Sequence, residues 1–233
     1  MEQTSDILGR SELFEGLAAS ARDAVAAAGF HRRLGEGEAL LRQGDAADGV
    51  FLVLSGLLRA SQTTAEGQQV AIRYLGPGDV AGYTALTGGS VHPGTVSAVE
   101  DSEVLGWANA AFRRLMAEHP AIAMNALALL GTRYHEMQVR LRELTTEPAA
   151  QRIGRTLLRL ARQAGRRSAR GVEIAFPLSR QDVAEMSGTT LHTASRTLAD
   201  WEERGLVDSG RLRIVLRAPQ ALAELVGEDD ETA

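Results

Sequence analysis

Residues 120–144 have the sequence PAIAMNALALLGTRYHEMQVRLREL, and this stretch organises the rest of the chain. Its large apolar residues recur at alternating steps of three and four, which is the a/d pattern of a helix that packs along a second helix. These residues, which we call the seam, are Leu127, Leu130, Tyr134, Met137, Leu141 and Leu144. Pro120 and Pro148 set its limits, because proline is tolerated in a first helical turn and keeps the preceding residue out of helical geometry. The sequence therefore predicts one long dimerisation helix.

The seam is short for a coiled coil that stands alone. It covers about two and a half heptads, whereas roughly three to four are needed for an independent coiled coil. We therefore expect a dimerisation helix that is supported by a folded domain. An ordinary core helix that packs within its own subunit is the alternative that the pattern leaves open.

Composition limits the class of protein. The chain has 233 residues, 44% of them apolar, which is enough for two domains. It has no run of eighteen apolar residues and its polar N-terminus lacks the core of a signal peptide, so we expect a cytoplasmic protein without a membrane span. It has no cysteine, which excludes disulfides and a cysteine-ligated iron–sulfur cluster within the chain.

Charge is unevenly distributed along the chain. Residues 145–218 hold 13 arginines against eight acidic residues, a net charge of +5 in a chain whose net charge is −5. A basic segment on an acidic body favours a module that binds a polyanion. A merely solvated basic surface is the alternative, which charge alone does not exclude.

The region between residues 34 and 107 has the texture of a β domain. Short apolar runs alternate there with glycines, which is typical of a β-sandwich or barrel. The runs are residues 39–41, 50–54, 57–60, 70–74, 95–99 and 104–107.

Residues 179–205 follow the plan of a helix-turn-helix, in which a short glycine-containing turn joins two helices. A β-hairpin wing is predicted after the second helix, with Asp-Ser-Gly at its tip. The first helix is predicted to start at an N-cap on Ser179, and the turn to lie at Ser187-Gly188. The second helix is predicted to start at an N-cap on Thr189 or Thr190, and the wing to cover residues 206–216.

The second helix has an apolar side and a polar side. His192, Ser195 and Arg196 cluster on the polar side, which is left facing outward. Such a face fits the major groove of DNA, where arginine can bind guanine bidentately and contribute about 1–3 kcal/mol of discrimination. A solvated Arg196, or an ion pair with Asp200, is the alternative.

A second set of polar residues lies near the N-termini of the two helices. Backbone amides and the helix dipole favour phosphate at such positions. The candidates for phosphate contacts are Ser179, Arg180, Gln181, Thr189 and Thr190.

Nearly the whole chain resembles the Crp/Fnr family of transcription regulators. The resemblance is carried by FLVLSGLLRA at 51–60, EGQQVAIRYLGPGDV at 66–80, the long helix, and LSRQDVAEMSGTTLHTASRTLADWEERGLV at 178–207. It implies an α+β protein with an N-terminal antiparallel β-roll (a double-stranded β-helix), a dimerisation helix and a C-terminal winged helix-turn-helix. It further implies a homodimer on a palindromic operator in double-stranded DNA, controlled by an effector.

The resemblance also implies domain limits. An effector-sensing domain is expected over residues 1–119, a dimerisation helix and hinge over 120–147, and the DNA-binding domain over 148–233. RNA polymerase is a further candidate partner, and the sequence does not determine whether the regulator activates or represses.

The chain departs from the cyclic-AMP-binding members of the family at the effector site. Those members have a Gly-Glu pair for the ribose and an Arg-Ser pair for the phosphate, where this chain has Gly82-Tyr83 and His92-Pro93. Charge-assisted hydrogen bonds contribute on the order of 1.5–3 kcal/mol each, so cyclic AMP is not the expected effector. In the second helix, Ser195-Arg196 match the family, whereas His192 stands where the family often has Glu.

The effector is a separate hypothesis. The segment TTLHTASR at 189–196 resembles the nitric-oxide-responsive branch of the family, which is associated with haem. Imidazole is a usual haem ligand, so His92 is the candidate iron ligand, beside Gly82 and Tyr83 as effector-binding residues. The alternatives are a turn histidine without a ligand, an apolar small molecule, and no effector at all.

Other classes of protein were weighed against a regulator. The sequence has no G-x-S-x-G, no His-Glu-x-x-His, no Walker loop and no cysteine nucleophile, so an enzyme is not expected. A small-molecule-binding β-roll protein without specific DNA binding, and a signalling module whose basic domain binds a protein, are the remaining alternatives.

Overall fold

A computed structural model describes residues 2–65, 67, 69–86 and 88–227. The acidic tail, residues 228–233, lies outside the described residues. The chain divides into two compact units, Met1–Glu136 and Met137–Ala233, whose boundary falls within one long helix. The architecture is α+β, and the described strands pair antiparallel.

The first unit begins with helical segments, of which the sequence predicts only the alanine-rich residues 11–29, with Ser20 as N-cap. They are α1 (Glu2–Arg10), a 3₁₀ turn (Glu12–Phe14) and α2 (Ala19–Ala27). Their buried residues, Leu8, Leu13, Phe14 and Val25, pack with Trp107 in one apolar cluster. Helix α2 lies within the predicted residues, but its N-cap is Ala18 rather than Ser20.

The β domain consists of two four-stranded antiparallel sheets within the described residues. Its strands are β1 (Phe30–Leu34), β2 (Ala39–Leu41), β3 (Gly49–Ser55), β4 (Leu58–Thr63), β5 (Gln69–Leu75), β6 (Val80–Ala81), β7 (Thr95–Ala98) and β8 (Ser102–Ala108). One sheet has the order β1-β8-β3-β6 and the other the order β2-β7-β4-β5. Each predicted apolar run forms a strand, although β4 starts one residue later than predicted and extends to Thr63.

Strand β3 is buried on both faces, which explains its unbroken apolar sequence. Phe51 and Val53 face the core between the two sheets, and Val50, Leu52 and Leu54 face the cluster formed with the helices. A strand covered on both sides does not alternate between polar and apolar residues.

Strands β1 and β6 were not predicted. The sequence of β1, FHRRL, buries only Leu34 fully, because β1 is an edge strand paired with β8 alone. Strand β6 has two residues, which is too short for any periodic signal.

Helices α3 (Tyr83–Leu86), α4 (Asn109–Glu118) and α5 (Pro120–Thr146) complete the first unit and lead into the second. Helix α5 begins at Pro120, as predicted, and ends two residues before Pro148. Ile122, Ala126 and Leu129 form its buried stripe, which packs into the helical cluster of the first unit. No helix in the described part of the chain is long and apolar enough to cross a bilayer.

The second unit contains the predicted helix-turn-helix and wing. Its elements after α5 are α6 (Ala149–Ala164), β9 (Gly165–Ser168), β10 (Gly171–Ile174), α7 (Arg180–Met186), α8 (Leu191–Glu203), β11 (Val207–Ser209), β12 (Ile214–Leu216) and α9 (Pro219–Leu225). The strands form one sheet in the order β11-β12-β10-β9, so the predicted wing hairpin is extended by a second hairpin. Ile153, Leu157 and Leu160 on α6 are buried in this unit.

Candidate functional site

The two helices of the helix-turn-helix start at side-chain caps. The Ser179 hydroxyl accepts from the Asp182 amide at 3.1 Å, and the Ser179 amide donates to the Asp182 carboxylate at 2.9 Å, a reciprocal capping box. The Thr190 hydroxyl accepts from the Thr193 amide at 3.2 Å. Thr190, rather than Thr189, is therefore the N-cap of α8.

The polar side of α8 faces solvent. Its opposite side, formed by Ala194, Leu198 and Trp201, is buried against the rest of the unit. His192 and Arg196 are exposed, and Ser195 is half-buried. The helix therefore presents the side that the sequence predicted as its outer face.

The guanidinium of Arg196 is not engaged by a neighbour in the part of the chain that the structure describes. Asp200, its predicted alternative partner, forms its ion pair with Arg204 at 3.4 Å. Among the described residues, Arg196 has neither an ion pair nor a side-chain hydrogen bond. Its donors are thus available to an external acceptor.

Arg180 is engaged within the unit. Its Nη2 donates to the Ser209 hydroxyl at 2.7 Å and pairs with the Glu202 carboxylate at 3.3 Å. The same carboxylate accepts from the Ser209 amide at 2.6 Å. Arg180 therefore ties the first helix to the end of α8 and to the wing, while Gln181 bonds to Glu185 on its own helix at 2.8 Å.

The turn between α7 and α8 is held by two arginines that the sequence did not identify as part of the DNA-binding site. Arg140 on α5 donates to the Met186 carbonyl, and Arg152 on α6 donates to the carbonyls of Ser187 and Gly188 at 2.9 and 3.0 Å. Cationic side chains favour the carbonyl-rich end of a helix. We call Arg140 and Arg152 the turn clamp. Arg140 is 46 positions from Met186 and Arg152 is 35 positions from Ser187, so no local sequence pattern could have revealed the turn clamp.

Gly188 is required at this turn. Its φ of +60° lies in the left-handed region, and a Cβ there would lie 2.5 Å from Leu144 Cδ2.

The end of α5 is also joined to α6 by an ion pair between Glu143 and Arg159 at 2.8 Å, in which the Glu143 side chain is almost fully buried. The last turns of α5 are thus part of the same packed body as the helix-turn-helix.

The seam is exposed along α5. Leu127, Tyr134, Met137, Leu141 and Leu144 are between 47% and 69% exposed, and Leu130 is half-buried. The buried stripe of the same helix uses other residues. The seam is therefore not covered by the described part of its own chain.

The predicted effector residues fall in two places. Gly82 has a φ of +86°, and a Cβ there would lie 2.4 Å from the Gly49 carbonyl oxygen, so only glycine fits. Tyr83 lies beside Arg133. Burial raises the pKa of the Tyr83 phenol above its ordinary value, although the positive charge of Arg133 acts to lower it. His92 belongs to a different segment, where its backbone bonds to Gly44 and Asp45 at 2.9 Å.

His92 is deeply buried, with 3% of its surface exposed. Its Nε2 has no hydrogen-bond partner within the described residues. No group of three or more His, Asp or Glu side chains suited to a metal ion occurs among the residues that the structure describes.

Comparison with known proteins places the chain in a family. Residues 31–119 match the cyclic nucleotide-binding domain and residues 151–225 match the Crp-like helix-turn-helix domain. A cyclic AMP receptor protein from Thermus thermophilus is 33% identical over 216 residues, which cover 92% of this chain and 96% of that protein. The chain belongs to the Crp/Fnr family. It is accordingly a transcription regulator with a DNA-binding helix-turn-helix, not an enzyme.

Other Crp/Fnr proteins are similar over most of their length. The nitrogen fixation regulation protein FixK from Azorhizobium caulinodans is 31% identical over 222 residues, covering 92% of this chain and 88% of that protein. The structure of FixK2 from Bradyrhizobium japonicum superimposes with a TM-score of 0.73 at 25% identity, over 84% of this chain and 96% of that one. These similarities agree with the predicted combination of β-roll, long helix and winged helix-turn-helix.

Proposed function

We propose that this Crp/Fnr regulator binds a palindromic operator as a homodimer and reads it with α8. The observation that carries the proposal is the exposed face of α8, where His192 and Arg196 stand opposite a buried apolar stripe and Arg196 is unengaged. Arginine on an outward helix face is the commonest specific reader of guanine in the major groove. Ser195 beside it can bond to a base or to phosphate.

The seam supports the homodimer. A stripe of large apolar residues left in water is unfavourable, and burying each such side chain contributes roughly 1.5–3 kcal/mol. Pairing with the seam of a second copy would cover it by the a/d geometry of two packed helices. A two-fold dimer then presents two α8 helices, which matches the symmetry of a palindrome.

We assign the domains accordingly. Residues 1–119 form the effector-sensing domain, residues 120–147 the dimerisation helix and hinge, and residues 148–233 the DNA-binding domain. The two family matches, over residues 31–119 and 151–225, fall inside the first and the last of these segments.

Phosphate contacts come from the N-terminal ends of the two helices. We assign them to Ser179, Gln181, Thr189 and Thr190, since backbone amides and the helix dipole favour anions there. Arg180, which is bonded to Glu202 and Ser209, contributes by fixing the wing as well as by its charge. RNA polymerase is the partner through which a bound regulator of this kind would act.

The proposed effector is not cyclic AMP, although the Thermus relative is a cyclic AMP receptor protein. Tyr83 and His92-Pro93 supply neither the carboxylate nor the guanidinium expected for ribose and phosphate. Haem with nitric oxide is the effector we put forward, on the buried and unpartnered Nε2 of His92. The cavity at Tyr83, about 180 Å³, is too small for a porphyrin and is not lined by His92, so the segment around His92 would have to rearrange around the ring.

Selection of DNA sequences by the full-length protein tests the proposed function. A pool of random duplexes should converge on an inverted repeat that the protein binds at least about a thousandfold more tightly than scrambled DNA. Affinity should fall steeply with salt, because bound phosphates release counterions. A pool that stays random after repeated rounds, with equal binding to scrambled DNA, would contradict specific operator binding.

A further inference from the structure

A small polar cavity lies in the first unit and is not lined by His92. It has a volume of about 180 Å³ and is lined by residues of the 3₁₀ turn, of the turn between β5 and β6, and of α5. Its walls include Ser11, Asp79, Tyr83, Leu129 and Arg133.

Ser11 leaves a buried donor in this cavity. The residue is 2% exposed, and its amide is bonded to the carbonyls of Ile7 and Leu8. Its hydroxyl is buried and has no hydrogen-bond partner within the described residues. Buried polar groups are nearly always hydrogen-bonded, so this hydroxyl, on a residue that lines the cavity, lacks among the described residues the partner that it would ordinarily have.

Arg133 supplies a second orphan donor. Its Nη1 donates to both oxygens of Glu136, at 2.7 and 2.9 Å, and its guanidinium lies beside the Tyr83 phenol. Its Nε is buried without a hydrogen-bond partner within the described residues. A guanidinium has donors only, so the missing partner must be an acceptor.

The carboxylates around the cavity are largely committed elsewhere. Asp79 pairs with Arg73 at 2.9 Å and accepts from the Gly76 amide at 2.9 Å. Glu136 is paired with Arg133, and Glu12 is exposed. Within the described part of the chain, the buried polar side-chain atoms without a partner on residues of this cavity belong to Ser11 and Arg133.

We propose that this cavity binds a small oxyanion, a carboxylate or a phosphate, through the Arg133 Nε–H and the Ser11 hydroxyl. The volume admits such an ion but not a nucleotide, since pockets for larger ligands have volumes of about 300–1,000 Å³. The Tyr83 hydroxyl is a third group that can donate to it. Tyr83, predicted as an effector residue, thus belongs to this cavity.

The position of the cavity connects it with the seam. Arg133 and Leu129 lie on α5 within one helical turn of Leu130 and Tyr134. An anion bound to Arg133 therefore acts on the helix that we propose to dimerise. Binding itself does not depend on the proposed DNA-binding function and is measured without DNA.

Isothermal titration calorimetry of the full-length protein in phosphate-free buffer tests the proposal. Inorganic phosphate and succinate are titrated separately, against sodium chloride at equal ionic strength, so that the two oxyanion classes are distinguished. We expect saturable binding of at least one of them, with one site per chain, and no binding of chloride. Failure of both probes to bind at millimolar concentration overturns the proposal.

Variants locate the site. Arg133→Gln should weaken binding at least tenfold and Ser11→Ala several-fold, whereas Arg114→Gln, an exposed arginine on α4, should bind as the parent does. Equal binding by all three variants overturns the assignment. If Arg133→Gln does not fold, the Nε–Hε resonance of Arg133 in the parent protein decides: it should shift with probe concentration, and an unshifted resonance contradicts the site.

Discussion

Arg196 extends from α8 without a partner among the described residues, while Arg204, eight positions later, is paired with Asp200. This difference decides which arginine of the helix can recognise a base. Arg196→Ala should cost about 1–3 kcal/mol of affinity for the selected operator, because a bidentate contact to guanine is lost. Competition gel-shift measurements at fixed salt give the change.

The same variant measured on scrambled DNA is the control. A base contact is lost only where the guanine is present, so affinity for scrambled DNA should change little. Arg114→Ala, on the surface of the other unit, should change neither affinity. An equal loss on operator and scrambled DNA would show that Arg196 contacts phosphate instead.

His92 combines burial with an unsatisfied ring nitrogen. If that nitrogen ligates haem, reconstituted protein should show a Soret band that moves when nitric oxide is added. His92→Ala should shift the band or abolish it, because the iron loses a strong-field imidazole. His119→Ala, which alters a histidine at the end of α4, is the matched control. A spectrum identical in the parent and His92→Ala removes His92 as a ligand.

At the scale of elements, α5 carries a buried stripe and an exposed seam on one helix. Met137 is the most exposed residue of the seam at 69%, so a substitution there leaves the monomer's own core unchanged. Met137→Glu should convert dimers to monomers at micromolar concentration, because two like charges would face each other in an apolar interface. Sedimentation or light scattering gives the mass.

His135→Glu is the matched control for the seam, because it introduces the same side chain at an exposed position of α5 outside the a/d pattern. It should remain dimeric. A Met137→Glu protein that is still a dimer at micromolar concentration would refute the seam as the interface.

The turn clamp belongs to the same scale, since it joins α5 and α6 to the turn of the helix-turn-helix. Arg152→Gln would leave the carbonyls of Ser187 and Gly188 without their donor. The bond to Ser187 is partly buried and the bond to Gly188 is exposed, so the free energy of unfolding should fall by about 1 kcal/mol, the low end of the cost of an unsatisfied buried acceptor. Affinity for operator and for scrambled DNA should fall together, because the whole helix pair is loosened.

Urea denaturation followed by far-UV circular dichroism measures that loss. Arg142→Gln, which removes an exposed arginine of α5, is the comparison and should unfold as the parent does. Unchanged stability of Arg152→Gln would mean that the clamp contributes nothing.

For the whole molecule, the proposal requires two recognition helices at a fixed separation. Half-sites read by one dimer lie about 34–36 Å apart, or 10–10.5 base pairs from centre to centre. Inserting five base pairs between the half-sites of the selected operator turns one of them to the opposite side of the duplex. Specific affinity should then fall to nearly that of scrambled DNA, measured by the same competition assay. Full affinity after the insertion would contradict simultaneous contact by a rigid dimer.

The uneven distribution of charge along the chain also affects how the whole molecule binds DNA. The positive charge of residues 145–218 sits on an otherwise acidic chain. Attraction to DNA is therefore confined to one segment, while the rest of the chain opposes non-specific adsorption. This arrangement favours the specific complex over binding along the whole surface.

Local chemistry was enough to predict much of this protein from its sequence. Pro120 and Pro148 limit α5, the Ser179 cap starts α7, and the three–four spacing of the seam marks the exposed stripe. These signals lie within a few residues of the structure they specify, because proline geometry, capping and helical periodicity act over one or two turns.

Only the tertiary structure decided the contacts between distant parts of the chain. It placed Arg140 and Arg152 on the turn carbonyls, bonded Arg180 to the wing, and brought Ser11 to the same cavity as Arg133. Long, flexible arginine side chains can reach several acceptors, and the packing of the elements selects one of them. The sequence by itself determined most of the elements and the exposed faces of α5 and α8, and packing determined which polar groups are satisfied and which remain available to a ligand.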